Sequence, residues 1–360
     1  MLESGLFVQS AKDLIKQKLR LVASLRYDKN ENFAGNFTPR VALLYHPHGT
    51  HHFRASYQTG FRNPTTVDLF IKLNVGPISI LGGAPENSRG MNVYENSFTA
   101  ASVASFTAAF NKATASGGVS FAQALQQTKN ELQKATVPYI MPEQSRAFEL
   151  GYRGKIGKDL LLDINAYHTR YTQFILNTIV QRPQQPVLNA DGSVNPAAAE
   201  DLLNGRGQAF QLYTNSTGIV SSWGYSMGLD WKKEKGFESG VNLTYASILS
   251  NSEPGKIIDF NTPPYSTNIY FGNNHLKQYG FRINWHWQDA FDWYGTLNGN
   301  RPGRIKAYNQ IDFQLTRRVE KWKSSFKLGG NNILNHRVIQ AYGSPAIGAI
   351  YYLSYTFGEQ

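Results

Sequence analysis

The chain has 360 residues with a formal net charge of +11, and its lack of cysteine excludes disulfides, thiolate metal sites and cysteine nucleophiles. It has no run of 18 apolar residues, which excludes a transmembrane helix, and its N-terminus shows no signal peptide. Basic residues are spread singly instead of clustering among aromatic residues, so we expect no nucleic-acid partner.

Along the chain, many segments alternate apolar and polar residues, as strands with one apolar face do. In residues 279–288 the odd positions are Tyr, Phe, Ile and two Trp, whereas Arg282, Asn284 and His286 lie on the other face. Tyrosine and tryptophan near strand ends are typical of the girdles of membrane barrels. In chain order we predict strands at 5–14, 19–27, 41–45, 53–61, 148–152, 160–166, 223–231, 241–245, 279–288, 311–315, 324–328 and 349–357.

The connections between these segments are alternately short and long. The short links are 16–18, 46–51, 154–159, 232–236, 273–277 and 319–322, and the long ones are 62–145, 177–209, 250–266, 289–306 and 331–347. This alternation is typical of an outer-membrane barrel with tight periplasmic turns and long external loops, whereas a soluble sandwich has no reason for it. We predict an all-β, transmembrane antiparallel β-barrel in which 62–145 is a long extracellular loop insertion.

Two of the long links carry helical patterns, so we expect helical insertions in the extracellular loops. Apolar residues recur at helical spacing over 120–135, after a segment at 98–110 with three phenylalanines. In the second link, Asn195, Pro196 and Gly205 provide an N-cap, a first-turn proline and a glycine stop. We expect these helices over the barrel mouth, and we favour packing on the loops over direct ligand contact.

Two motifs suggest chemistry that we do not expect. Residues 224–228 match the G-x-S-x-G nucleophile elbow, but the strand alternation continues through them, and the elbow requires a strand-to-helix turn. His46, His48, His51 and His52 have the density of a metal site, but we favour a solvated turn because no carboxylate lies nearby to complete the site. We predict no enzyme activity, no metal and no cofactor.

Several strings, in their order and spacing, resemble the barrel of TonB-dependent outer-membrane receptors. They are Arg26-Tyr27-Asp28, Thr38-Pro39-Arg40, Tyr57 to Thr65 (YQTGFRNPT), Pro142-Glu143, Phe148 to Gly154, Gly330 to Asn335 and Tyr351 to Phe357. The resemblance covers essentially the whole chain. The Asn63-Pro64-Thr65 string is similar to receptors of the Bacteroidetes type.

The resemblance implies a barrel of about 22 strands in the cell outer membrane. Such a receptor imports a nutrient (an iron chelate, a vitamin or a glycan) with energy from the TonB complex. Its partners would be a small-molecule or oligomeric nutrient ligand and outer-membrane lipid. The sequence departs from the family in two features. The plug and TonB-contacting box have no counterpart, so we expect contact with TonB only through a missing N-terminal plug region, and Gly358-Glu359-Gln360 follows the usual terminal aromatic residue, here Phe357.

Counting strands gives an expectation about completeness. We count about 13 strands, an odd number, whereas single-chain bacterial barrels have an even number. We therefore expect residues 1–360 to be the C-terminal part of a receptor barrel, with the plug domain and the first strands absent. Strands 5–14 and 349–357 would then be the edges of a curved open sheet, or would be strained into closure.

Two alternative functions remain open, a passive outer-membrane porin and a soluble β-rich binding module. Conductance without energy would support the porin, and extraction without detergent would support the soluble module. Our candidate ligand-binding residues are Arg54, Arg282 and His286 on the predicted luminal face, and Arg62 and Asn63 at the start of the longest loop. The alternative is that these five residues only line the barrel or anchor the loop.

Overall fold

The computed structural model describes residues 2–358 except 116, 234, 251–255, 258–259 and 295–302. The strands in chain order are β1 Glu3–Ile15, β2 Leu19–Asn30, β3 Asn36–His48, β4 His51–Arg62, β5 Lys72–Asn74, β6 Ile78–Leu81, β7 Phe98–Thr99, β8 Glu143–Ile156, β9 Leu160–Thr172, β10 Ile175–Arg182, β11 Gln208–Asn215, β12 Val220–Lys232, β13 Phe237–Ser250, β14 Lys256–Ile257, β15 Tyr265–Leu276, β16 Tyr279–Gln288, β17 Phe291–Trp293, β18 Gly303–Ile305, β19 Tyr308–Val319, β20 Ser324–Asn331 and β21 Ile350–Phe357. The α-helices are α1 Thr66–Phe70, α2 Ala100–Ala115, α3 Phe121–Thr128 and α4 Pro196–Leu203. Among the described helices, none has the length and apolar character needed to cross a membrane.

Thirteen strands form one large sheet in the order β1-β2-β3-β4-β8-β9-β12-β13-β15-β16-β19-β20-β21. Its neighbouring strands are antiparallel. β1 and β21 end this order, and no pairing joins them in the described part of the chain. The predicted strand number and the open sheet are therefore confirmed.

One face of this sheet is apolar and exposed. On β16, Tyr279 and Ile283 are 48% and 41% exposed. The strand registers place further exposed side chains on the same face: Leu25, Val41, Leu43, Tyr45, Phe53, Tyr57, Phe148, Leu150, Trp223, Met227, Leu229, Val241, Ile269, Phe271, Phe313, Leu315, Leu328, Tyr351, Leu353, Tyr355 and Phe357. Soluble proteins rarely expose so large an apolar surface, whereas a bilayer accommodates it. We call this surface the apolar face and the opposite one the polar face.

The connections separate by length between the two ends of the large sheet. Links of two to four residues lie at one end, which we call the short-turn end. The long-loop end carries residues 63–142, 173–219, 251–264, 289–307 and 332–349, and the predicted alternation holds there. The exception is 31–35, a five-residue link between β2 and β3 at the long-loop end.

Several strands are longer than the alternation predicted. β3 was predicted at 41–45 and β8 at 148–152, and both extend well beyond these bounds. The predicted turn at 46–51 is consequently only Gly49 and Thr50, so the neighbouring histidines belong to strands. Near the ends of a membrane strand both faces become polar, so the alternation fades while the backbone hydrogen bonds continue.

The apolar core of the chain lies mainly in two long connections, 63–142 and 173–219, which together we call the loop assembly. β10 and β11 pair with each other, β6 adds in parallel to β11, and β5, β7 and β14 complete a six-stranded sheet. Beside it, α2 and α3 pack against α4. The fully buried side chains of this helical core include Phe98, Phe106, Ala124, Ala198 and Ala199.

The helix predicted at 120–135 is shorter than expected, whereas α4 matches its prediction. α3 begins with a capping box between Ser120 and Gln123 and ends at Thr128. Asn195 caps α4 by accepting a hydrogen bond from the backbone N–H of Ala197 at 3.0 Å. The glycine stop after α4 has φ +68°, a conformation that favours glycine. Residues 224–228 lie inside continuous strand β12, so they form no elbow.

Candidate ligand-binding surfaces of the sheet and its loops

Arg282 lies on the polar face of β16 and is held by several neighbours. Its Nη1 donates to Glu238 Oε1 at 3.0 Å, and its Nε donates to Asn284 Oδ1 at 3.0 Å. The guanidinium carbon lies 4.4 Å from the centroid of the Tyr270 ring, and the Tyr270 hydroxyl donates to Asp230 Oδ1 at 2.6 Å. Glu238 therefore balances the charge of Arg282. The contacts of Arg282 with Glu238, Asn284 and Tyr270 connect neighbouring strands on the polar face, which is a structural role.

The ring of Tyr270 is seated against a glycine of the neighbouring strand. A Cβ atom at Gly240 would lie 2.5 Å from Tyr270 Cε1 and 2.6 Å from Asp230 Oδ1. No side chain fits at such distances. The glycine is therefore needed for the tyrosine to lie flat on the polar face, where it supports Arg282.

His286 and Arg54 differ from Arg282, because no described carboxylate pairs with either of them. His286 Nδ1 lies 2.7 Å from Asn268 Oδ1, which orients the imidazole ring on the polar face. The Arg54 side chain lies over Gly151, where a Cβ atom would be 2.3 Å from Arg54 Nε. In the described part of the chain, Arg54 makes no ion pair. Arg54 and His286 therefore stay candidates for ligand contact.

Arg62 and Asn63 lie at the base of the loop assembly. Arg62 Nη2 donates to Glu143 Oε2 at 3.0 Å, and Glu143 is only 6% exposed. The same carboxylate oxygen accepts the backbone N–H of Ile175 at 3.1 Å. Asn63 Nδ2 donates to Glu3 Oε1 at 3.5 Å. The contacts of Glu143 join β4, β8 and β10, and the contact of Asn63 reaches β1, which favours a loop-anchoring role for both Arg62 and Asn63.

A cleft of about 600 Å³ at the long-loop end is lined by several basic side chains. We call it the basic cleft, and its polar lining is Arg304, Lys306, Tyr308, His336, Arg337 and Tyr342. Buried Ile305 and Val338 form part of its wall. No local sequence pattern predicts this cleft, because its residues come from two regions of the chain that lie far apart in sequence.

The charges of the basic cleft are only partly paired. Arg304 Nη1 donates to Asp292 Oδ1 at 2.8 Å, and the Arg304 backbone N–H donates to the Tyr342 hydroxyl at 3.1 Å. Across the part of the chain that the structure describes, no carboxylate lies within 4.0 Å of Lys306 or Arg337. Two exposed cations therefore face the cleft without an acidic partner.

Asp201 is a buried carboxylate that holds the end of α4. It accepts from Arg206 Nε at 2.8 Å and from the backbone N–H of Gln185 at 2.9 Å. Burial alone would raise its pKa, but the hydrogen bonds from Arg206 and Gln185 outweigh burial and hold the pKa below the usual range. In the same assembly, burial raises the pKa of the Tyr94 hydroxyl, which donates to the backbone carbonyl of Tyr213 at 2.8 Å.

Asp201→Asn is expected to lower the free energy of unfolding of the loop assembly by about 1–3 kcal/mol at pH 7. Because the folded pKa is lowered, this contribution is complete above about pH 4 and is lost as the pH falls through the folded value. Native-state hydrogen exchange of the α4 amides measures this loss of stability. Glu131→Gln, which removes an exposed carboxylate, is the control. Equal protection in wild type and Asp201→Asn at pH 7 would contradict this role.

Comparison with known proteins identifies related chains. The family model "TonB dependent receptor-like, beta-barrel" matches residues 3–333. A ferric enterobactin receptor structure from Pseudomonas aeruginosa has 15% identity and a TM-score of 0.63, covering 99% of this chain and 44% of that chain. The siderophore receptor PirA from Acinetobacter baumannii has 13% identity and a TM-score of 0.59, with 99% and 45% covered. The FrpB iron transporter from Neisseria meningitidis has 12% identity and a TM-score of 0.58, with 99% and 44% covered.

At these identities the solved structures show a common fold alone. The chain spans less than half the length of each of them. No curated protein sequence matches the chain.

Proposed function

Because the chain belongs to the TonB-dependent receptor β-barrel family, we propose that it serves in the energy-coupled uptake of a small anionic ligand across the outer membrane. Proteins of this family are transporters of the Gram-negative outer membrane and not enzymes. In this proposal the apolar face contacts lipid, the polar face lines the passage, and the long-loop end faces outward. Contact with TonB would be made by an N-terminal plug region, as in the family.

The pair of unpaired cations in the basic cleft is the observation that supports an anionic ligand. Among the described residues, no carboxylate pairs with Lys306 or Arg337, and Tyr308 and Tyr342 add aromatic surface. A negatively charged ferric chelate with aromatic rings gains from both features, whereas a neutral vitamin or glycan gains from only one. The solved neighbours are described as receptors or transporters of ferric enterobactin, siderophore, iron and copper, which agrees with this class.

Comparing two ferric chelates of different charge tests the proposal. Calorimetric titration of the purified receptor in detergent would use an anionic ferric tris-catecholate and a neutral ferric tris-hydroxamate of similar size. We expect the anionic chelate to bind at least 10-fold more tightly at low salt, and the difference to shrink as salt screens the cleft. Equal affinities at low salt would contradict an anionic ligand. A passive porin would instead conduct ions without binding either chelate.

A further inference from the structure

The β3–β4 hairpin at the short-turn end brings two imidazole rings into contact. Its turn is only Gly49 and Thr50, and the register shifts between the Tyr45–Phe53 pair and the next pair toward the turn. Across this irregularity, His46 Nδ1 lies 2.5 Å from His52 Nδ1. The two ring centroids are 4.7 Å apart, with an angle of 74° between the ring planes.

Two facing ring nitrogens can be joined in two ways. One imidazole can donate its N–H to the other, or both can present a lone pair to a shared metal ion. A divalent transition metal bound at about 2.0–2.1 Å from each nitrogen would separate them to roughly 3 Å, which requires only small rotations of the rings.

We propose that His46 and His52 form a two-histidine binding site for a divalent transition metal, with water completing the coordination. Imidazole suits Cu²⁺, Ni²⁺ and Zn²⁺, and affinity for such a site is greatest for Cu²⁺. His52 is exposed and His46 is half-buried, so an ion can reach both rings from solvent. The His46 backbone is fixed because its N–H donates to the Lys18 carbonyl at 2.7 Å.

Among the side chains that the structure describes, no third protein ligand joins His46 and His52. His51 Nδ1 is engaged by the Tyr152 hydroxyl at 2.8 Å, and its ring stacks on Tyr152. Within the described residues there is no group of three or more histidine, cysteine or acidic side chains placed to share an ion. A two-imidazole site with open water positions is expected to bind Cu²⁺ in the micromolar range, more weakly than a closed structural site. The inference is independent of the proposed uptake function.

Titration of the tag-free receptor with Cu²⁺ at pH 7.4 tests the site. We expect one Cu²⁺ per chain by calorimetry, with at least 20-fold weaker binding in His46→Asn and in His52→Asn. The electron paramagnetic resonance spectrum should show coupling to two imidazole nitrogens in wild type but not in the His46→Asn or His52→Asn variant. His168→Asn, which removes an exposed histidine of β9 at the long-loop end, is the control and should bind like wild type.

Two results would overturn the two-histidine site. One is binding in wild type no tighter than in a His46→Asn/His52→Asn double variant at Cu²⁺ concentrations up to about 100 µM. The other is a loss in His51→Asn as large as that in His52→Asn, because His51 is held by Tyr152 and should matter little. Heat-modifiable migration on gels verifies that each variant barrel is folded, so that lost binding reports on the site itself.

Discussion

The double variant Lys306→Gln/Arg337→Gln is expected to bind an anionic ferric tris-catecholate 10- to 100-fold more weakly than wild type. Both side chains face the basic cleft, and neither has a carboxylate partner among the described residues. Each glutamine keeps a polar side chain but removes a full charge that an anion would otherwise approach. Charge-assisted hydrogen bonds are roughly twice as strong as neutral ones, so two such losses account for the expected range.

The matched control removes the same number of charges elsewhere at the long-loop end. Lys112 and Lys129 belong to the loop assembly and lie outside the cleft lining; Lys112 is exposed and Lys129 is half-buried. Lys112→Gln/Lys129→Gln should leave the affinity within about 2-fold, because neither lysine lines the cleft. Calorimetric titration at two salt concentrations separates the variants. The cleft would be excluded as the ligand site if both double variants lost the same affinity.

The large sheet was predictable because the residues of each strand alternate between apolar and polar. One face must suit lipid and the other must suit water, so β16 reads as apolar and polar residues in turn over its whole length. α4 was predictable for a different reason, since its cap, its first-turn proline and its glycine stop are all local. Neither prediction needed knowledge of distant contacts.

The loop assembly was only partly predictable, because its structure depends on contacts between separate connections. The parallel pairing of β6 with β11 joins segments about 130 residues apart and has no local signal. The helix predicted from the spacing of apolar residues at 120–135 is longer than α3. Leu132 and Ala135 fit the helical spacing and are buried, but they follow the end of the helix. Periodic burial there reflects packing in the core and not a continued helix.

The candidate site residues show the same division between local and distant information. The predicted face of Arg54, Arg282 and His286 follows from position in a strand, and the structure places all three on the polar face. The partners that decide the chemistry of Arg62 do not follow from position, because Glu143 lies 81 residues away in sequence. Ligand contact by Arg54 and His286 stays a prediction.

Ile283→Lys should destabilise the folded barrel by about 2–4 kcal/mol, whereas Asn284→Lys should cost less than about 1 kcal/mol. Ile283 is exposed on the apolar face of β16, so its lysine would place an ammonium group in hydrocarbon. Asn284 lies on the polar face directly opposite Asp312, so its lysine gains an acidic neighbour. That contact offsets the lost acceptor of Arg282 Nε.

Equilibrium folding into lipid vesicles across a denaturant series measures the free energies of both variants. The two positions are adjacent in one strand, and each receives the same new side chain. Chain position and the new side chain are therefore the same in both variants. The difference in strand propensity between isoleucine and asparagine is at most about 1 kcal/mol, so a larger gap reports which face meets lipid. If the two lysines cost the same, the apolar face cannot be in contact with hydrocarbon, and the exposed aromatic and aliphatic side chains of all thirteen strands would need another cover.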